Sequence, residues 1–101
     1  MMIELDVKQV DGTNSNTIID LRANGTGLTG SGLALSNFGF NDNNWHNIKI
    51  KLEENLVSAM VGNTVISTKT PTVTATYWLI GLWTAGTTTE LHFKNVKVYP
   101  I

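Results

Sequence analysis

Apolar and polar residues alternate along most of this chain, and no long segment carries the 3.6-residue apolar period of an amphipathic helix. Turn-forming residues interrupt the alternation roughly every eight to twelve positions, a spacing typical of β-sandwiches and barrels. The clearest runs predict strands at Ile3–Lys8, Trp45–Leu52 and Leu91–Tyr99, the first two with one apolar face. Further strands are predicted at Thr17–Ala23, within Leu28–Phe40, and at Leu56–Val61, Thr64–Thr68 and Thr76–Thr84.

Glycine, asparagine and proline mark the ends of these predicted strands. The Gly62-Asn63 pair separates two short apolar runs and predicts a β-hairpin, because both residue types tolerate positive φ. Pro71 interrupts strand pairing since it has no N–H to donate. The spacing of strands and turns therefore predicts an all-β fold, a two-sheet antiparallel jelly-roll β-sandwich of about seven or eight strands. We expect residues 1–101 to form one domain.

The composition narrows the function classes. Charged residues make up 15% of the chain and the formal net charge is −1, with Lys49, Lys51, Lys69, Lys94 and Lys97 scattered along the sequence. This pattern predicts no basic stripe for a phosphate backbone, so we expect no nucleic-acid partner. The chain has no cysteine, which excludes disulfides and thiolate metal sites. No apolar run reaches the roughly 18 residues of a membrane-spanning helix, so we expect no membrane insertion.

The polar but weakly charged surface, rich in Thr, Asn, Ser and Gly, is typical of β-sandwiches that work outside cells. We therefore expect an extracellular, cell-surface or virion location. The Met1-Met2 opening leads directly into a strand pattern. This favours a domain excised from a longer chain over a naturally short protein. The other domains of that parent chain are then expected partners.

The order of features from Trp45 onward resembles the C-terminal half of concanavalin A-like sandwiches, which include laminin-G-like domains, lectin-like domains and jelly-roll carbohydrate-binding modules. The resemblance consists of the Trp45-His46-x-Ile-x-Ile strand, the hairpin with Gly62-Asn63, the Ile80-Gly81-Leu82 strand and the final Leu91–Tyr99 segment. It covers about the last 57 residues, most of them core and turn positions. Compact relatives with a similar Tyr-Pro-Ile ending occur in phage tail and baseplate proteins and in microbial surface proteins. The resemblance implies a fold more than a function.

Catalytic and metal-binding patterns are weak. Sandwich glycosidases need two suitably spaced carboxylates, and the pair Glu4 and Asp6 near the chain start does not match their motif. We therefore predict no enzymatic activity and no catalytic residues. The two histidines, His46 and His92, do not supply the three or four ligands of a zinc site. No cofactor is expected, although a structural calcium, as in many jelly-roll modules, remains an alternative. Its candidate ligands are Asp6, Asp11, Asp42, Asn43 and Asn95.

The aromatic residues suggest a binding site. Sugar rings stack their C–H faces on exposed Trp and Tyr side chains. Alternation places Tyr77 and Trp83 on one face of their strand, and Ile80 and Leu82, with Trp78 in part, on the core face. Trp45 is expected in the core. The predicted ligand-binding residues are Tyr77 and Trp83 for stacking, with hydrogen bonds from Asn37, Asn47, Lys49 and Thr84 if these line the same face.

Two functions follow as hypotheses. The first is a non-catalytic carbohydrate-binding module that attaches a larger protein to a cell-surface or cell-wall polysaccharide. The second is a structural or oligomerisation domain of a phage tail, baseplate or surface fibre protein, whose second apolar face packs against a partner chain. A decayed or accessory domain of a glycosidase is a third hypothesis. The openness of the face that bears Tyr77 and Trp83 distinguishes the first two.

Overall fold

A computed structural model describes residues 1–10, 18–24, 26–34, 42–70, 76–83 and 90–101, with the backbone alone at 18–21, 23, 26–34 and 80–83. Within these ranges every regular element is a β-strand, and all the strand pairs are antiparallel, which confirms the predicted all-β class. The strands are β1 (Met2–Val10), β2 (Ile18–Ala23), β3 (Thr26–Ala34), β4 (His46–Leu52), β5 (Val57–Val61), β6 (Thr64–Lys69), β7 (Trp78–Trp83) and β8 (Glu90–Tyr99).

The strands form two sheets. One has five strands in the order β6-β5-β4-β1-β8, and the other has three in the order β3-β2-β7. In the first sheet the N-terminal strand β1 lies between β4 and the C-terminal strand β8, so pairing joins the two ends of the chain. In the second sheet β2 is central and pairs with both β3 and β7. No described residue belongs to a helix that could cross a membrane.

The hydrophobic core lies on one face of the five-stranded sheet. Alternate residues of β1 and β4 are buried there, as the alternation predicts, because successive side chains of a strand point to opposite faces. The cluster consists of Ile3, Leu5, Val7, Ile48, Ile50, Leu52 and Val57. Trp78 of β7 packs against this cluster from the three-stranded sheet. We call the face that carries the cluster the inner face, and the opposite face of the same sheet the outer face.

The edge strand β8 contains a β-bulge. Lys94 pairs with Asp6 and Lys97 pairs with Glu4, which leaves two β8 residues opposite Leu5. The bulged residue is Asn95, whose φ of 56° lies in the left-handed region that asparagine tolerates better than most residues. The bulge reverses the phase of the alternation, so that Phe93 before it and Val96 after it both face inward.

Three apolar side chains on the inner side of β8 are exposed. Phe93 pairs with buried Val7, and Val98 pairs with buried Ile3. Their side chains and that of Val96 are nevertheless exposed, by 58% for Phe93, 56% for Val96 and 61% for Val98. Of the apolar residues of β8, Leu91, near the start of the strand, packs against the core cluster. These three apolar side chains are therefore not part of the core cluster, and β8 is the edge strand of its sheet.

Candidate functional site

Register brings the scattered lysines together. Lys8, Lys49 and Lys51 alternate with buried residues of β1 and β4, and so lie on the outer face. Lys94 and Lys97 of β8 pair with the outer-face residues Asp6 and Glu4. Five of the seven basic residues of the chain therefore lie on one sheet face. Their separation in sequence conceals this grouping, which arises from the pairing of β4, β1 and β8.

Two carboxylates sit in the middle of this face, and each is held by hydrogen bonds. The Asn47 side-chain amide donates to Glu4 Oε2 at 3.0 Å and to Asp6 Oδ1 at 3.2 Å. The Tyr99 hydroxyl donates to the other oxygen of Glu4 at 2.6 Å, and the Asn95 amide donates to Asp6 Oδ2 at 2.9 Å. The amide of Asn47 thus links the two acidic side chains into one network that spans three strands.

These hydrogen bonds favour the ionised carboxylates. The Tyr99 hydroxyl, followed by the Asn47 amide, lowers the pKa of Glu4 below its usual value. The Asn95 amide, again followed by that of Asn47, lowers the pKa of Asp6. The bond to Glu4 in turn raises the pKa of Tyr99, which keeps its hydroxyl protonated as a donor. Both carboxylates therefore act as acceptors at neutral pH.

Acid should destabilise the fold through this network. Because the pKa values of Glu4 and Asp6 are lowered in the folded state, their stabilisation is present above the unfolded-state pKa of about 4 and is lost as pH falls through the folded values. We expect the double variant Glu4→Gln/Asp6→Asn to reduce the fall in urea midpoint between pH 5 and pH 2.5. A Glu54→Gln control removes an exposed carboxylate in the turn after β4 and should leave that fall unchanged. Equal falls in wild type and double variant would contradict the assignment.

Trp45 lies at one end of the outer face, immediately before β4. Its side chain is 38% exposed, so the prediction that it belongs to the core is wrong. The Nζ atoms of Lys8 and Lys94 lie 4.9 Å and 4.1 Å from the centroid of its ring. These are cation–π distances, at which an exposed pair contributes about 0.5–1 kcal/mol. Two ammonium groups from different strands thus converge on one exposed indole. We call Trp45, Lys8 and Lys94 the Trp45 centre.

A second exposed aromatic residue belongs to the other sheet. Tyr77 is 52% exposed and immediately precedes β7, and Leu79 on the same side of the chain is also exposed. The alternate residue Trp78 is half-buried against the core cluster. This agrees with the predicted division of the strand into a core side with Trp78 and an open side with Tyr77. Asn24, in the turn between β2 and β3, fixes Tyr77, since its N–H donates to the Tyr77 carbonyl oxygen at 3.0 Å.

The predicted binding residues that the structure describes with their side chains do not form one group. Asn47 and Lys49 lie on the outer face of the five-stranded sheet, where Asn47 bonds the two carboxylates and Lys49 Nζ donates to Asn63 Oδ1 at 3.1 Å. Tyr77 immediately precedes β7 of the three-stranded sheet, next to Trp78, which packs against the core cluster on the inner face. The expectation that Asn47 and Lys49 line the same face as Tyr77 is therefore corrected. Asn37, Thr84 and the side chain of Trp83 lie outside the described residues.

The histidines and the calcium candidates give no metal centre in the described ranges, where no three His, Cys, Asp or Glu side chains group closely enough to hold an ion. His46 Nε2 lies 2.9 Å from Asp42 Oδ1, and His92 Nε2 lies 3.0 Å from Glu90 Oε2. The hydrogen bond with His46 is the main cause of the lowered pKa of Asp42. The Asn95 amide donates a hydrogen bond to Asp6, so these two calcium candidates are partners of each other. Asp11 lies outside the described residues.

Two signals in the sequence could have identified this face. Lys94-Asn95 is a polar pair inside an otherwise alternating run, which is the pattern of a bulge, and asparagine is suited to the left-handed position. With that bulge recognised, the alternation in β1, β4 and β8 assigns all five lysines to the polar face. The exposure of Trp45 has no comparable signal, because a tryptophan before a strand is equally compatible with burial.

Comparison with known proteins identifies no relative. No protein-family model matches this chain, and no curated protein or solved structure matches it significantly.

Proposed function

We propose that this protein is a non-catalytic carbohydrate-binding module that attaches a larger protein to a cell-surface or cell-wall polysaccharide. The observation that carries the proposal is the exposed indole of Trp45 on a sheet face rich in hydrogen-bonding side chains. An aromatic ring with nearby polar groups is what recognition of a sugar requires, since the ring stacks on C–H bonds while donors and acceptors bind the hydroxyls. Extracellular, cell-surface or virion location is part of the same proposal.

The arrangement of the sheets supports a sandwich of the kind found in such modules. Trp78 of the three-stranded sheet packs against the core cluster of the five-stranded sheet, as facing layers of a sandwich would. We accordingly propose the jelly-roll arrangement of concanavalin A-like domains for the whole chain. The outer face and the side of β7 that bears Tyr77 would then be the two broad surfaces open to a glycan.

The chemistry of the two central carboxylates supports binding over hydrolysis. A glycosidase needs one carboxyl group whose raised pKa keeps it protonated as a general acid. The pKa values of Glu4 and Asp6 are instead lowered by the hydrogen bonds that they accept. Ionised carboxylates of this kind are suited to accept hydrogen bonds from sugar hydroxyls.

Replacing Trp45 by alanine should abolish most glycan binding. Loss of one sugar–aromatic stacking contact is expected to weaken binding at least tenfold, measured as retardation in affinity gels containing a polysaccharide that the wild type binds. The matched control is Tyr77→Ala, which removes an exposed aromatic ring from the other sheet. Undiminished binding by Trp45→Ala together with loss in Tyr77→Ala or Trp83→Ala would move the site to β7, and a wild type that binds no glycan would contradict the function.

A structural or oligomerisation role is the second candidate, and the exposed row of Phe93, Val96 and Val98 favours it. Three large apolar side chains side by side on an edge strand are typical of a surface that is covered in an assembly. In that case the protein should sediment as an oligomer at micromolar concentration, and Phe93→Ser should shift it to monomers. A monomeric wild type would count against this candidate and leave the glycan-binding proposal standing.

A further inference from the structure

Lys8 and Lys94 differ from two other lysines of the outer face, Lys49 and Lys51, each of which has a side-chain oxygen of Asn63 or Glu53 as its partner. Lys51 Nζ lies 3.5 Å from Glu53 Oε1. Among the described residues, Lys8 and Lys94 form no ion pair within 4.0 Å, and the ring of Trp45 is the group that each approaches. Both ammonium groups keep hydrogen-bond donors free for a ligand, because a π face accepts no strong hydrogen bond from an ammonium hydrogen.

The geometry limits what such a ligand can be. An anionic group bound by both Nζ atoms, at about 2.8 Å from each, lies close to the indole, since both atoms are within 5 Å of the ring centroid. A ligand that contacts both the ring and the ammonium groups therefore carries a negative group and an apolar face that are no farther apart than the width of one sugar residue. A neutral sugar would use the ring and leave both ammonium groups without an anionic group at hydrogen-bond distance.

Resting on the proposed glycan binding, we propose that the Trp45 centre selects acidic sugars. The carboxylate or sulfate of one residue lies between the ammonium groups of Lys8 and Lys94, and the C–H face of the same residue packs on Trp45. Because the cation–π contacts are exposed and weak, the two lysines turn from the ring to the anionic group at small cost. Charge-assisted hydrogen bonds to that group then supply the preference over the neutral sugar.

The rest of the face favours an acidic polysaccharide over a nucleic acid. Asp6 is a direct neighbour of Lys94 across the strand pair and Glu4 follows two positions along β1. These ionised carboxylates accept hydrogen bonds, which the hydroxyls of a sugar chain can donate in every residue. A phosphodiester chain that followed the same face would meet two negative charges and offer few donors. Among the residues that the structure describes, Trp45 is the one indole on this face, and it does not form the succession of rings on which single-stranded bases stack.

A glycan array with uronate-, sialate- and sulfate-bearing oligosaccharides beside their neutral parents tests the proposal. We expect the wild type to bind at least one acidic glycan ten times more tightly than its neutral parent, and a titration of that pair to confirm the ratio. In Lys8→Gln/Lys94→Gln the acidic glycan should bind at least tenfold more weakly and should lose its advantage over the neutral parent. The control Lys51→Gln/Lys69→Gln changes the net charge equally, away from Trp45, and should retain the preference. Thermal unfolding of each variant verifies that it is folded.

The results of this experiment distinguish the failure of the acidic-sugar inference from the failure of the glycan-binding function. If neutral glycans bind through Trp45 as tightly as acidic ones, or if the double variant keeps the acidic preference, the acidic-sugar inference is wrong and the glycan-binding function stands. If the wild type binds no glycan on the array, both fail. Tighter binding to single-stranded oligothymidine than to any glycan overturns the inference in favour of a nucleic acid.

Discussion

Ile50→Ala is expected to lower the free energy of unfolding by about 3 kcal/mol, within the range of roughly 2–5 kcal/mol for such truncations in well-packed cores. Ile50 is 0% exposed and lies in the middle of β4, between neighbours on β1 and β5. Removal of three buried carbon atoms loses their transfer free energy and leaves a cavity that a sheet can close only in part. For a domain with a total stability of about 5–15 kcal/mol, this is a large fraction.

Urea denaturation, monitored by tryptophan fluorescence, measures the effect. Ile50→Val keeps most of the volume and should cost about 1 kcal/mol, which makes a graded series with alanine. Val98→Ala is the control, because it removes two methyl groups from an apolar side chain that is mostly exposed, and should change stability by less than about 0.5 kcal/mol. A loss below 1 kcal/mol for Ile50→Ala would contradict a close-packed inner face.

The strands at the centre of the five-stranded sheet follow from local pattern. In β1 and β4 the alternation of Ile3, Leu5 and Val7, and of Ile48 and Ile50, predicts both the extended backbone and the buried face, and both are confirmed. The Gly62-Asn63 turn is confirmed as well, with φ of 57° at Gly62. Each of these features depends on neighbours in sequence, where period and turn chemistry are readable.

The edge of the sheet could not be predicted in the same way. Phe93, Val96 and Val98 have the residue types of a core strand, and the cross-strand partners of Phe93 and Val98 are buried. Whether such residues are covered depends on which other parts of the chain pack against that face, and this is a property of the folded chain. Local pattern specifies which side of a strand is apolar, and topology decides whether anything packs against it.

The residues of the candidate site are brought together by the pairing register of the strands, and the alternation of apolar and polar residues does not reveal this. Trp45 and Lys8 approach each other because of the pairing of β1 with β4, and Lys94 joins them through β8 after a separation of 86 positions from Lys8. The aromatic residue that sequence reasoning favoured, Tyr77, is exposed as expected but belongs to the other sheet. The structure places the ring of Trp45, which was expected in the core, in an exposed position among polar side chains of the five-stranded sheet, whereas Tyr77 lies beside the other sheet.

Asn24→Ala is expected to destabilise the protein by about 1–2 kcal/mol and to loosen the chain at Tyr77. Asn24 Oδ1 accepts hydrogen bonds from the backbone N–H of Thr76 at 2.7 Å, from the Thr76 hydroxyl at 2.9 Å and from the Tyr77 N–H at 3.3 Å. The residue also has a φ of 54°, where alanine is less favourable by roughly 1 kcal/mol. Alanine therefore removes the acceptor and strains the turn together, although water replaces part of the lost bonding at these exposed groups.

Two further variants separate these causes. Asn24→Asp retains an acceptor oxygen and tolerates the left-handed conformation, so it should keep most of the stability. Asn24→Gly relieves the strain but has no acceptor, and should fall between aspartate and alanine. Amide hydrogen exchange reports the local effect, because the N–H groups of Thr76 and Tyr77 should exchange faster in the glycine and alanine variants than in the aspartate variant. If all three variants exchanged like the wild type at these amides, Asn24 would not be the residue that holds the segment before β7 against the turn between β2 and β3, and the exposed position of Tyr77 would need another cause.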